Sequence, residues 1–220
     1  MQKTGFLLFL VLYITLTSSD CNKKSTPSTS NDTYQPATAG SEWNYTTTGT
    51  TTSGSVNTSF KLTATSNDSA ANGRTYRIIT SSAGGREYYN QSGNDYYRIS
   101  SFAGLTSPIE FLNLKDNLAA GGNWAESKSI NFPGIPVAVP VNLSYSIVKK
   151  FDTTFNGTNL KDVIVVRVRP SSSLATIDAD EIYYYYAKNV GLILNKVRLK
   201  ITLASIDANT ETKLGTYTIK

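Results

Sequence analysis

Between residues 196 and 203 the chain alternates without a break. Val197, Leu199, Ile201 and Leu203 point one way, and Lys196, Arg198, Lys200 and Thr202 point the other. A period of two over this length suits a β-strand with one buried face and no helix. The same alternation recurs along most of the chain, and helical periodicity is nearly absent. The pattern predicts an all-β fold: a single, strongly curved antiparallel sheet or half-barrel with at most one short helix. Pro108 to Ala120 is the one stretch where that helix could compete.

Turn residues cut the alternation into strands. In the first half, Trp43–Thr47 and Val56–Ala64 precede Arg74–Ser81, Arg86–Asn90 and Tyr96–Phe102, with turn signals at Asn72-Gly73, Gly84-Gly85 and Ser92–Asp95. They predict a five-stranded meander. The second half reads Leu143–Phe151, Asp162–Arg169, Ile182–Ala187, Leu192–Ala204 and Lys213–Lys220, with a hairpin signal at Asn156-Gly157. Asn131–Val141 carries Pro133, Pro136 and Pro140, which predicts an extended edge or loop. Gly40-Ser-Glu-Trp43 recurs as Gly121-Gly-Asn-Trp124, 81 residues later. Each unit opens a strand-rich half, so a duplicated meander is one reading and coincidence the other.

The N-terminus reads as an export signal. Lys3 precedes the apolar run Phe6–Leu16, which is too short for a relaxed transmembrane span of about 20 residues. Thr17-Ser18-Ser19-Asp20 then leads to Cys21, the chain's single cysteine. Small residues before one cysteine resemble a bacterial lipoprotein signal. That family lipidates the cysteine and makes it the first residue of the mature chain. Asp20 departs from the Gly, Ala or Ser usual there. The expected organisation is a signal peptide over 1–20, a flexible tether over 21–39 rich in Ser, Thr, Pro and Asn, and one β domain over 40–220.

Composition excludes several chemistries. There is no histidine, so no Ser-His-Asp triad and no His-ligated metal site can form. One cysteine permits no intramolecular disulfide. Removing 1–20 takes away Lys3 and Asp20, leaving 20 basic and 15 acidic residues and the same net charge of +5. Those charges are scattered, which argues against a nucleic-acid partner. Asp178-x-Asp180-Glu181 is the tight acidic cluster, but it lacks calcium-loop spacing and reads as a polar loop. No cofactor, metal or catalytic residue is expected, and the chain is expected not to be an enzyme.

Tyrosine and the basic strands remain. Among 14 tyrosines, Tyr184 and Tyr186 share one strand face. With Tyr96, Trp43 and Trp124 they are candidate ligand contacts; the alternative is packing in the core or over the sheet. Arg167, Arg169, Lys196, Arg198 and Lys200 alternate on two strands and form one cationic patch if those strands pair. That patch is either a solvated face that discourages aggregation or a contact for anionic headgroups.

Tyr184-Tyr-Tyr-Ala-Lys188-Asn-Val-Gly191-Leu-Ile-Leu resembles a YAKGVGLVK-type hairpin of uncharacterised Bacteroidota envelope lipoproteins. The G-x-x-W-x-Y strand at Gly40, Trp43 and Tyr45 and the closing Leu214–Ile219 are similar to theirs. Asn189 stands where that family usually has Gly. The resemblance implies a curved sheet like the half-barrels of the outer-membrane lipoprotein carrier class, whose concave face can hold a lipid chain. It implies a lipid-anchored, non-catalytic envelope protein, placed at the outer membrane and facing the periplasm because Asn22-Lys23-Lys24 follows the cysteine. The expected function is binding of an apolar or amphipathic ligand on the concave face. The alternative is a structural or adhesive module contacting glycans or proteins.

Overall fold

The computed structural model describes residues 32–100, 108–132 and 135–220, with the backbone alone at 179–181. The expected signal peptide and Cys21 lie outside the described residues. Twelve strands form one antiparallel sheet: β1 (Glu42–Thr51), β2 (Gly54–Ala71), β3 (Arg74–Ser81), β4 (Arg86–Ser92), β5 (Asp95–Ser100), β6 (Ile109–Lys115), β7 (Asn123–Ile130), β8 (Val139–Phe155), β9 (Thr158–Ser171), β10 (Ile177–Ala187), β11 (Gly191–Ile201) and β12 (Ile206–Thr218). A single 3-10 turn at Thr202–Ala204 is the one helical element among the described residues.

The strand order is β6-β5-β4-β3-β2-β1-β12-β11-β10-β9-β8-β7. Two six-stranded meanders, β1–β6 and β7–β12, are therefore joined by the β1–β12 ladder. The predicted first-half meander is present as β1–β5, and β6 extends it. The region that could have been helical, Pro108–Ala120, is instead β6 and its following turn. Ile109, Phe111, Leu112 and Leu114 fit either period, and pairing with β5 decides it for strand.

The edges β6 and β7 meet at a seam without a ladder. Side chains bridge it: Trp124 Nε1 donates to the Leu112 carbonyl at 3.0 Å, and the Leu112 amide donates to Glu126 Oε2 at 2.9 Å. The sheet is thus a nearly closed barrel. Closing the edges this way protects backbone groups that would otherwise invite another strand.

The Gly-x-x-Trp echo is structural. Gly40 and Gly121 both hold positive φ, +85° and +87°. The Gly40 amide donates to Ala64 O (2.8 Å) and Ala64 N returns a bond to Ser41 O (2.9 Å). In the second half Gly121 N donates to Ile147 O (2.8 Å) and Ile147 N to Gly122 O (2.8 Å). Each half opens with the same backbone bracket onto its next long strand.

The barrel interior holds the larger core, built from Tyr96, Leu114, Val141, Tyr145, Ile147, Ile164, Val166, Tyr186 and Val197 among others. A second cluster contains Trp43, Tyr45, Leu62, Leu160, Val163, Ile193 and Leu214. Near it the β8–β9 hairpin tip folds onto β12: Asn156 Nδ2 donates to the Leu214 and Gly215 carbonyls at 2.8 and 3.0 Å. Val163, Ile164, Val165 and Val166 are consequently all buried, so both faces of β9 are covered there. Of the approach expected as extended edge or loop, residues 131–132 and 135–138 are loop, Pro140 sits in β8 opposite Ser129 of β7, and Pro133 lies outside the described residues.

Candidate functional site

The cross-strand register sends one set of side chains inward. Tyr89 of β4 lies opposite Arg98 of β5, and Gln91 opposite Tyr96. Tyr96 lies opposite Leu114 of β6. From the far wall come Tyr186 of β10 and its partner Leu192 of β11. Trp43 and Tyr45 of β1 complete the circle. These residues surround one cavity of about 20 Å³, room for little more than a single ordered water. Among the described residues, side chains fill the concave face around this cavity.

At the centre sits an ion pair that sequence reasoning missed. Arg98 donates to Glu87 Oε1, and the Tyr89 hydroxyl donates to Glu87 Oε2 at 2.8 Å. Burial works against the guanidinium charge, but the adjacent Glu87 carboxylate outweighs it and holds the charge on Arg98 firmly. The signal was in the parity of the chain: Glu87 and Tyr89 share a face, and the Ser92–Asp95 turn brings Arg98 opposite Tyr89.

Three polar atoms at this cavity have no hydrogen-bond partner: Gln35 Oε1, Arg98 Nε and Tyr186 Oη. Burial first, then Tyr184 beside it, pushes the Tyr186 hydroxyl well above the ordinary tyrosine value.

The segment expected to be tether reaches into the same place. Tyr34 is 7% exposed and meets Tyr96 edge to face, with ring centres 6.1 Å apart. Asn189 N donates to Thr33 O at 2.7 Å, and Thr33 N donates to Asn189 Oδ1 at 3.1 Å. Lys188 Nζ lies 3.1 Å from Asp32 Oδ2. Thr33 Oγ1 donates to Gln91 Oε1 at 2.8 Å. Asp32–Pro36 therefore closes the barrel mouth between the β10–β11 turn and the β4–β5 hairpin.

The five candidate ligand contacts divide. Trp43, Tyr96 and Tyr186 line the cavity and are at most 6% exposed. Trp43 Nε1 donates to Val190 O at 2.7 Å. Tyr184 stacks on Tyr186 inside, with ring centres 6.2 Å apart. Trp124 lies apart, at the seam, stacked on Tyr145 at 5.0 Å. These aromatics are core and wall; none forms an exposed platform.

The basic residues are brought together in part. Arg167, Tyr183, Lys196 and Glu211 form one row across β9, β10, β11 and β12. Lys196 Nζ is 3.4 Å from Glu211 Oε2. Lys200 lies between Asp178 and Asp207, Arg198 lies opposite Asn209, and Arg169 lies opposite Ser144 on the β8 side. Acidic neighbours divide the expected cationic patch into a face of mixed sign. No cluster of three or more acidic, His or Cys residues suited to a metal ion occurs among the described residues.

No protein-family model matches the chain, and no curated protein matches it. A solved structure of a candidate lipoprotein from Parabacteroides distasonis ATCC 8503 aligns with 85% of this chain and 99% of its own, at 13% identity and a TM-score of 0.46. A likeness at this level assigns no function.

Proposed function

We propose that this chain is a non-catalytic cell-envelope lipoprotein, exported on residues 1–20 and held to the outer membrane through lipid on Cys21, and that its barrel is a structural or adhesive module contacting a glycan. The filled interior favours this over a lipid carrier, because a 20 Å³ cavity cannot take an acyl chain.

The observation that carries the reading is a polar end of the sheet. Thr48, Thr50, Ser55, Asn57 and Asn209 are exposed there. Thr48 lies opposite Asn57 on one side and Glu211 on the other. Hydroxyl pairs hold it, Thr46 to Ser59 at 3.0 Å and Thr47 to Thr212 at 2.8 Å. Strands polar on both faces are weakly specified by burial. Here close packing fixes the register instead: a Cβ on Gly49 would lie 2.1 Å from the Asn209 carbonyl oxygen. The result is an ordered, hydroxyl-rich surface suited to a hydrated partner.

Co-sedimentation with purified peptidoglycan sacculi tests this. The full chain should pellet with sacculi, and Thr48→Ala/Thr50→Ala/Asn57→Ala should weaken that at least about fivefold. Retention unchanged by the triple substitution, or no retention, would reject the glycan contact.

A further inference from the structure

The Tyr-Ala-Lys-Asn-Val-Gly hairpin singled out in the sequence has a use that the adhesive reading does not absorb. Lys188, Asn189 and Gly191 meet the segment entering from the N-terminal side, and Val190 holds Trp43. Lys188 pairs with Asp32, and Asn189 exchanges two hydrogen bonds with Thr33. Val190 O accepts from Trp43. Gly191, at φ +101°, lies so close that a Cβ there would sit 3.6 Å from Pro36 Cδ. The hairpin is a dock for Asp32–Pro36.

What the dock holds shut is incompletely satisfied. Gln35 Oε1, Arg98 Nε and Tyr186 Oη all lack partners at the cavity behind Tyr34. Tyr186 is 94% buried, being 6% exposed. Each orphaned buried group is destabilising unless something fills the gap. The closing contacts at the rim are polar and largely exposed; Asp32 has 66% of its side chain in solvent. Contacts of that kind contribute little. The buried side chains of the plug are Tyr34 and Pro36.

We propose that Asp32–Pro36 is a displaceable plug over a ring-sized binding site, and that the site takes a phenolic ring in place of Tyr34. The cavity beside the Tyr34 ring is lined by Trp43, Tyr45, Tyr89, Tyr96 and Tyr186. A ligand hydroxyl entering past the plug accepts from Arg98 Nε and pairs with Tyr186 Oη, the two groups that stay orphaned on the barrel wall. Asp32 follows Cys21 by eleven positions, so the plug lies on the chain path between the expected lipid anchor and the barrel. This inference stands independently of the glycan reading.

The test uses the detergent-purified full chain with p-cresol as the probe. Binding is read by the thermal midpoint and by tryptophan fluorescence in a Trp124→Phe background, where Trp43 is the one tryptophan left. Tyr34→Ala should bind p-cresol saturably and at least about tenfold more tightly than wild type, and adding Tyr186→Phe should weaken that binding about fivefold or more. Lys188→Ala/Asn189→Gly, which keeps Tyr34, should fall between. A folded Tyr34→Ala protein with no saturable binding, as when water alone fills the gap, overturns the proposal. If Tyr34→Ala does not fold, the dock variant decides, and affinity no greater than wild type overturns it.

Discussion

Gly40 and Gly121 hold one backbone conformation at equivalent places, φ +85° and +87°, each donating its amide into the long strand that follows in its half. Neither position is crowded: a Cβ on Gly121 meets nothing within 4 Å, and one on Gly40 meets only the Lys220 side chain at 3.5 Å. Substitution is therefore a test of backbone strain alone. Gly40→Ala and Gly121→Ala should each cost about 1–2 kcal/mol in chemical denaturation, and by similar amounts. A large difference between them would break the equivalence of the two halves.

The seam depends on two side chains of β7. Trp124→Phe keeps the stacking on Tyr145 and removes the donor to Leu112 O. The expected loss is about 1 kcal/mol. Amide exchange should speed up in β6, at Leu112 above all, with little change in β2 or β11. Uniform acceleration throughout the barrel would mean that the seam is no separate opening unit.

Glu87 holds the interior charge. Glu87→Gln leaves Arg98 inside without its carboxylate, and the cost should be on the order of 3 kcal/mol. A midpoint shift in urea at unchanged slope checks it. Glu87→Gln combined with Arg98→Met should recover part of that loss, because neither charge then remains.

Alkali should unfold the barrel. Tyr34, Tyr45, Tyr76, Tyr89, Tyr96, Tyr145, Tyr184 and Tyr186 all hold their protons above the ordinary value of 10, burial being the first cause in each, with Tyr76 pushed up to about 12. A raised folded value means that the unfolded chain releases these protons first. Stability from these groups is complete below pH 10 and falls as pH rises beyond it. Absorbance at 295 nm should show these tyrosines ionising together with unfolding. Smooth ionisation in a folded protein would show that they are open to solvent.

Much of the architecture could be read from residue alternation. Val197, Leu199 and Ile201 fixed a strand, and the turn pairs from Asn72-Gly73 onward fixed the first meander. The β6 strand was ambiguous because Ile109, Phe111, Leu112 and Leu114 satisfy both periods until β5 is beside them. Tyr34 was hidden by its neighbours: a lone aromatic among Ser, Thr and Pro has no periodicity to betray burial, and its ring partner Tyr96 lies 62 residues further along the chain. Lys196 and Lys200 read as part of a cationic patch because the acids opposite them, Glu211 and Asp207, come from another strand.

The central claim is an envelope lipoprotein whose barrel is filled by its own side chains. Native mass spectrometry of the protein purified from a bacterial envelope tests it most directly. The expected species is a polypeptide beginning at Cys21 with covalent acyl mass and nothing further that organic solvent removes. An unmodified Cys21, or a discrete lipid extractable from the folded barrel, would contradict it.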